Sequence, residues 1–218
     1  MKDRDIHSII RILRRETPKW NAPIVTLMAE TYESPFRILI SCILSLRTQD
    51  ATTAKASHRL FAVADTPEAM LKLSARKIER LIFPVGFYRT KAKNILAICR
   101  TLVDRYGGKV PDAIDELMKL RGVGRKTANL VVTLGYSKPG ICVDTHVHRI
   151  SNRWGYVAAR TPEKTEFALR AKLPAQYWIE YNDLLVSFGQ HLCRPISPLC
   201  SRCPVRKYCP QLGVGVRR

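Results

Sequence analysis

Four cysteines crowd near the end of the chain. Cys193, Cys200, Cys203 and Cys209 stand in the stretch CRPISPLCSRCPVRKYC with the spacing C-x6-C-x2-C-x5-C. Thiolates this close in sequence are metal ligands, and tetrahedral sulfur suits either a structural zinc or an iron–sulfur cluster, so ligand type alone leaves both open. Four unligated thiols are the weaker reading. The chain carries seven cysteines, an odd number, and Cys42, Cys99 and Cys142 sit singly in apolar surroundings, where they read as small buried side chains. A disulfide framework fits this distribution badly.

A second constellation is LMKLRGVGRKTA, residues 117–128. Gly122, Val123 and Gly124 separate two helical runs, and glycines admit positive φ and leave backbone amides uncovered. Amides in the first turn of the second helix, with its dipole and with Arg121 and Arg125, would hold a phosphate without reading a base. The plainer alternative is an ordinary turn between helices with solvated basic side chains. Taken alone, Lys126 is a surface lysine and Asp144 an N-cap for the run VHRISNRW. His146 and His148 form an H-x-H pair without a third ligand nearby, which favours a structural or DNA-facing role over metal binding.

These groups need a scaffold, and 218 residues with 46% hydrophobic content can bury one. Lys and Arg number 37 against 18 Asp and Glu, a formal charge of +19. That balance points to a polyanionic partner, although an anionic membrane surface would satisfy it too. No apolar run approaches the roughly 20 residues of a membrane span, so no membrane partner is expected and the chain reads as soluble and intracellular.

Helix signals recur and β-type alternation is nearly absent, which predicts an all-α fold. Ile6, Ile9, Ile10 and Leu13 form the stripe of an amphipathic first helix. Ser34, Thr66, Ser74, Thr90, Asp144 and Thr161 stand where N-caps would, and Pro111-Asp112 is expected to open the helix before the glycine turn. Gly107-Gly108 marks a helix end, and a last apolar helix is expected over roughly Tyr177 to Gln190.

With the hairpin followed by the cysteine tail, the sequence resembles the endonuclease III family of helix-hairpin-helix DNA glycosylases. SCILSLRTQDATTAKA, LIFPVGFYRTKAKNI, LRGVGRKTANLVV, VDTHVHRISNRWG and the tail occur in that family's order and spacing. The resemblance implies two helical lobes with DNA across the cleft between them: residues 28–141 as a six-helix lobe with the helix-hairpin-helix, and 142–218 as C-terminal helices and cluster loop, joined by an N-terminal helix within 1–27. It implies a 4Fe-4S cluster on Cys193, Cys200, Cys203 and Cys209. It also implies Lys126 as the amine that attacks the sugar and Asp144 as its catalytic partner. An amine attacks only when neutral, and a helix start beside Arg121 and Arg125 disfavours a further positive charge.

The family places an apolar wedge where Phe87 stands in VGFYRTK, to fill the gap left by an extruded nucleotide. Where the family commonly has a glutamine facing the opposite strand, this chain has Arg47, with Gln49 two residues on. Arginine can stack and donate hydrogen bonds, so opposite-base preference is expected to differ. Arg194 is the one basic residue of the cluster loop before Cys200. Asp50 and Lys91 match family positions near the site but read as solvated charges. The implied activity is that of a bifunctional DNA glycosylase/AP lyase. It would remove oxidised or ring-saturated pyrimidines such as thymine glycol from double-stranded DNA and cleave abasic sites, acting as a monomer in the cytoplasm on the nucleoid. The rivals are an adenine-specific or mismatch glycosylase of the same superfamily, a photoproduct lyase, and a noncatalytic DNA-binding module with a zinc ribbon.

Overall fold

The stripe of isoleucines at the start of the chain becomes the buried face of α1 (Asp5–Glu16): Ile6, Ile9, Ile10 and Leu13 are all at most 1% exposed. The structure, a computed structural model, describes residues 1–20 and 34–218. Helices follow at α2 (Pro35–Ser45), α3 (Asp50–Phe61), α4 (Pro67–Leu71), α5 (Ala75–Ile82), α6 (Tyr88–Tyr106), α7 (Ile114–Met118), α8 (Arg125–Tyr136), α9 (Thr145–Arg153), α10 (Pro162–Lys172) and α11 (Trp178–His191). Among the described residues there is no strand, so the fold is all-α as expected. None of their helices is long and apolar enough to cross a membrane.

Local chemistry sets most of the starts. The side chains of Ser34, Thr66, Ser74 and Thr161 each accept a backbone N–H from the first turn of α2, α4, α5 and α10. Asp144 does the same for α9, accepting from His146 and Val147. Two expected starts are corrected. Thr90 is already inside α6, whose N-cap is Phe87 in the left-handed region, because the turn at Val85–Gly86 delivers the chain in helical register three residues early. α7 begins at Ile114 rather than at Pro111-Asp112, where the Asp112 carboxylate is instead paired with Lys138 at 2.6 Å.

The chain divides into two compact units, Met1–Pro23 with Pro139–Arg218, and Ile24–Lys138. The boundary expected between residues 27 and 28 lies outside the described residues. In the first unit the α1 stripe packs with Val147, Ile150, Trp154, Tyr181, Leu185 and Phe188 from α9, α11 and the α9 exit. Each such aliphatic side chain contributes about 1.5–3 kcal/mol by leaving water. In the second unit α2 lies against α3, α6 and α8, while α6 packs on α4 and α5. Cys42 and Cys99 are buried in this unit and Cys142 in the other, which agrees with their reading as core residues.

Candidate functional site

The glycine turn joins α7 to α8. Gly122 has φ +78°, a left-handed conformation that favours glycine, while the Asn94 side-chain nitrogen, 2.8 Å from where a Cβ would stand, is a flexible end that could move aside. Gly124 is the N-cap of α8, extended at φ −93°, and no side chain caps this helix start. The first turn of α8 thus presents its amides as a helix N-terminus does, without a Ser, Thr or Asp side chain over them. Arg121, Gly122, Gly124 and Lys126 are exposed and Arg125 is partly so. Val123 turns its side chain inward at 6% exposure, so any contact it makes with a ligand runs through its backbone.

In the other unit, Asp144 precedes α9 with one carboxylate oxygen accepting from His146 N at 2.8 Å and Val147 N at 2.9 Å. Both of these bonds fall on Oδ1, so the cap is made by one oxygen of the carboxylate. His146 meets Arg149 through Nδ1 at 3.1 Å, and His148 meets the Thr165 hydroxyl at 2.7 Å. Both histidines thus have structural partners.

Arg47 and Phe87 are brought together within the second unit. Both are exposed, Phe87 at 62%, and both adopt left-handed backbone conformations, with φ 53° and 58°. The Arg47 guanidinium lies 5.6 Å from the centroid of the Phe87 ring. Gln49 and Asp50 are exposed at the start of α3. Lys91 departs from expectation: it is 6% exposed, with Nζ donating to Leu44 O at 2.8 Å, Leu46 O at 2.5 Å and the Thr48 hydroxyl at 3.2 Å. It is a buried tie rather than a solvated charge, and burial pushes its pKa down to about 8. The signal was present in the sequence. Lys91, Ile95, Ile98 and Leu102 fall on one face of α6, so the lysine occupies an apolar stripe.

Cys193, Cys200, Cys203 and Cys209 line one cavity, walled by Trp154, Phe188, Leu192 and Leu199. Among the described residues, no three His, Cys, Asp or Glu side chains stand where they could share one metal ion. Burial pushes the Cys203 thiol up to about 12 and raises Cys209 as well, so these sulfurs hold their protons until a cation displaces them.

Arg153 was not singled out from the sequence. It is 8% exposed and donates to Arg194 O and Pro195 O at 2.7 Å and to Cys193 Sγ at 3.5 Å, which fixes the loop from which the exposed Arg194 projects.

The profile of the HhH-GPD superfamily of base excision DNA repair proteins matches residues 40–175. Over 175 residues the chain is 51% identical to an endonuclease III of Thermotoga maritima, covering 80% of this chain and 82% of the relative. It is 42% identical over 187 residues to a chloroplastic endonuclease III homolog 1 of Arabidopsis thaliana, covering 82% of this chain and 49% of that protein, about half its length. Among solved structures it is similar to a trapped endonuclease III–DNA covalent intermediate, an estranged-adenine complex, with TM-score 0.86, 34% identity and 97% of each chain covered.

Proposed function

The chain belongs to the endonuclease III family, within the HhH-GPD superfamily of base excision DNA repair proteins, and from that premise we propose that it is a bifunctional DNA glycosylase/AP lyase acting on oxidised or ring-saturated pyrimidines. The observation that carries this reading is an exposed lysine in the uncapped first turn of the hairpin helix: Lys126, two residues after Gly124. There a phosphate held by the backbone amides would deliver the neighbouring deoxyribose to an amine.

The proposed roles follow from side-chain chemistry. Lys126 attacks the anomeric carbon, the base leaves, and an imine links enzyme to sugar. The imine acidifies the adjacent sugar hydrogens, so β-elimination breaks the strand 3′ to the site. Asp144 takes up the proton of the amine and offsets positive charge on the sugar as the base departs. The related endonuclease III trapped covalently on DNA supports an enzyme-linked intermediate.

Phe87 fills the gap of the extruded nucleotide, and Arg47, with Gln49, faces the orphaned base. Arg121, Arg125 and the backbone of 122–124 hold phosphates, and Arg194 adds a contact from the cysteine loop. Cys193, Cys200, Cys203 and Cys209 would hold a 4Fe-4S cluster, whose contribution when bound is to staple this loop. The protein acts as a monomer on nucleoid DNA in the cytoplasm.

Borohydride trapping tests the central step. Duplexes carrying thymine glycol or an abasic site should yield a covalent adduct that disappears in Lys126→Gln, and undiminished trapping in that variant would refute the amine assignment. A brown protein with broad absorbance at about 400 nm supports the cluster, whereas a colourless zinc protein removes it from the proposal.

A further inference from the structure

We propose that Lys91 is a positioning residue that locks the Arg47 and Phe87 loops into one rigid two-pronged probe for the gap in the duplex; the idea rests on the function proposed above. Lys91 is too deeply buried to reach DNA. Its ammonium has three protons and three acceptors, namely Leu44 O, Leu46 O and Thr48 Oγ1. Two of these are orphan carbonyls at the end of α2, where a cation is doubly favoured: it satisfies the lone pairs and meets the negative end of the helix dipole.

The Thr48 hydroxyl is equally committed. It donates to Leu46 O at 3.3 Å and accepts from both Lys91 Nζ and Gly86 N, the latter at 3.2 Å. Gly86 approaches so closely that a Cβ there would sit 2.5 Å from Arg47 O. The loop before α3 and the loop before α6 are therefore stitched together directly behind the two exposed side chains. Left-handed φ at two non-glycine residues persists only where the surroundings over-determine it, and the Lys91 tie is what over-determines Arg47. Without it Leu44 O loses its side-chain donor, Leu46 O keeps only the longer bond from Thr48 and the Thr48 hydroxyl keeps only Gly86 N, so Arg47 loses its fixed position against Phe87.

A lysine needed only to fill space would be replaced without loss by methionine, which keeps the stem and removes the donors. The experiment compares wild type, Lys91→Met and Lys91→Arg in single-turnover release of thymine glycol and in cleavage of a preformed abasic site. In parallel, a fluorescent adenine analogue opposite a stable abasic analogue reports insertion of the prongs without chemistry. A displacement of roughly 1 Å away from the reacting atoms costs up to about 10²-fold, so Lys91→Met should lose about tenfold or more in base release. Abasic cleavage, which needs no base extruded, should fall by much less. The fluorescence change should shrink in Lys91→Met and recover in part in Lys91→Arg.

Equal losses in both reactions, or a Lys91→Met protein that matches wild type in release and fluorescence, would overturn the proposal. If wild type performs neither reaction yet its fluorescence response is lost in Lys91→Met, the positioning role stands and the enzymatic reading falls. Should Lys91→Met fail to fold, Thr48→Val decides: it deletes only the shared hydroxyl, and an unchanged ratio of base release to abasic cleavage in it counts against the tie.

Discussion

Replacing Asp144 by asparagine and by alanine separates its two roles. In the folded protein its Oδ1 accepts from His146 N at 2.8 Å and Val147 N at 2.9 Å. Asparagine presents an oxygen at the same place and caps helices as well as aspartate does, so Asp144→Asn should forfeit only the attraction between the carboxylate and the α9 dipole, about 0.3–1 kcal/mol. Alanine forfeits the two hydrogen bonds as well, about 1–2 kcal/mol. At roughly 2–4 °C per kcal/mol for a chain of this size, thermal melts should fall by about 1–4 °C for asparagine and by about 2–8 °C for alanine.

Base release should follow the opposite logic. On the proposed mechanism both variants lose the charge that takes up a proton and stabilises the departing sugar, so single-turnover release should drop by about 10²–10⁴-fold in each, irrespective of their different stabilities. The assay is release from a thymine glycol duplex at saturating enzyme and well below the melt. Wild-type release by the asparagine variant would show that Asp144 is a cap and nothing more. Activity losses that track the melts would lead to the same conclusion.

Four further outcomes follow from the geometry. Ile10→Ala empties a fully buried site in the first unit and should destabilise it by about 2–5 kcal/mol in denaturant titrations, with the hairpin unchanged in sequence and exposure. Gly86→Ala drives a Cβ into Arg47 O, so base release should fall further than abasic cleavage, as expected for Lys91→Met. Burial lowers the Lys91 pKa from 10.5 to about 8, so the unfolded chain binds more protons between those values and stability rises with pH across them. The wild-type minus Lys91→Met difference in unfolding free energy should therefore grow from pH 8 to 10.5, by at most about 3 kcal/mol since the three acceptors oppose the shift, and a flat difference would show the ammonium is not desolvated. Binding to undamaged duplex should weaken at least about tenfold between 50 and 200 mM salt if several phosphates are contacted, and a flat dependence would contradict the backbone clamp.

Much of the architecture was legible residue by residue. The stripe of α1, the caps at Ser34, Thr66, Ser74, Asp144 and Thr161, and the Gly122 turn depend on neighbours within three or four positions, which sequence displays directly. Thr90 does not start α6 because a capping hydroxyl is only one way to begin a helix; here the backbone turn at Gly86, held by the bond from its N–H to the Thr48 hydroxyl, does so instead.

By itself, the sequence determined the helical class, the hairpin with Lys126 in its second helix, and the four cysteines whose spacing calls for a metal cofactor. Only the tertiary structure decided that those cysteines line one cavity, that Val123 turns inward, and that Lys91 is a buried tie. The reason is range. The bonds of Lys91 close over 43 to 47 residues, and such partners are chosen by how α2 and α6 pack rather than by any property of a lysine and a carbonyl far apart along the chain.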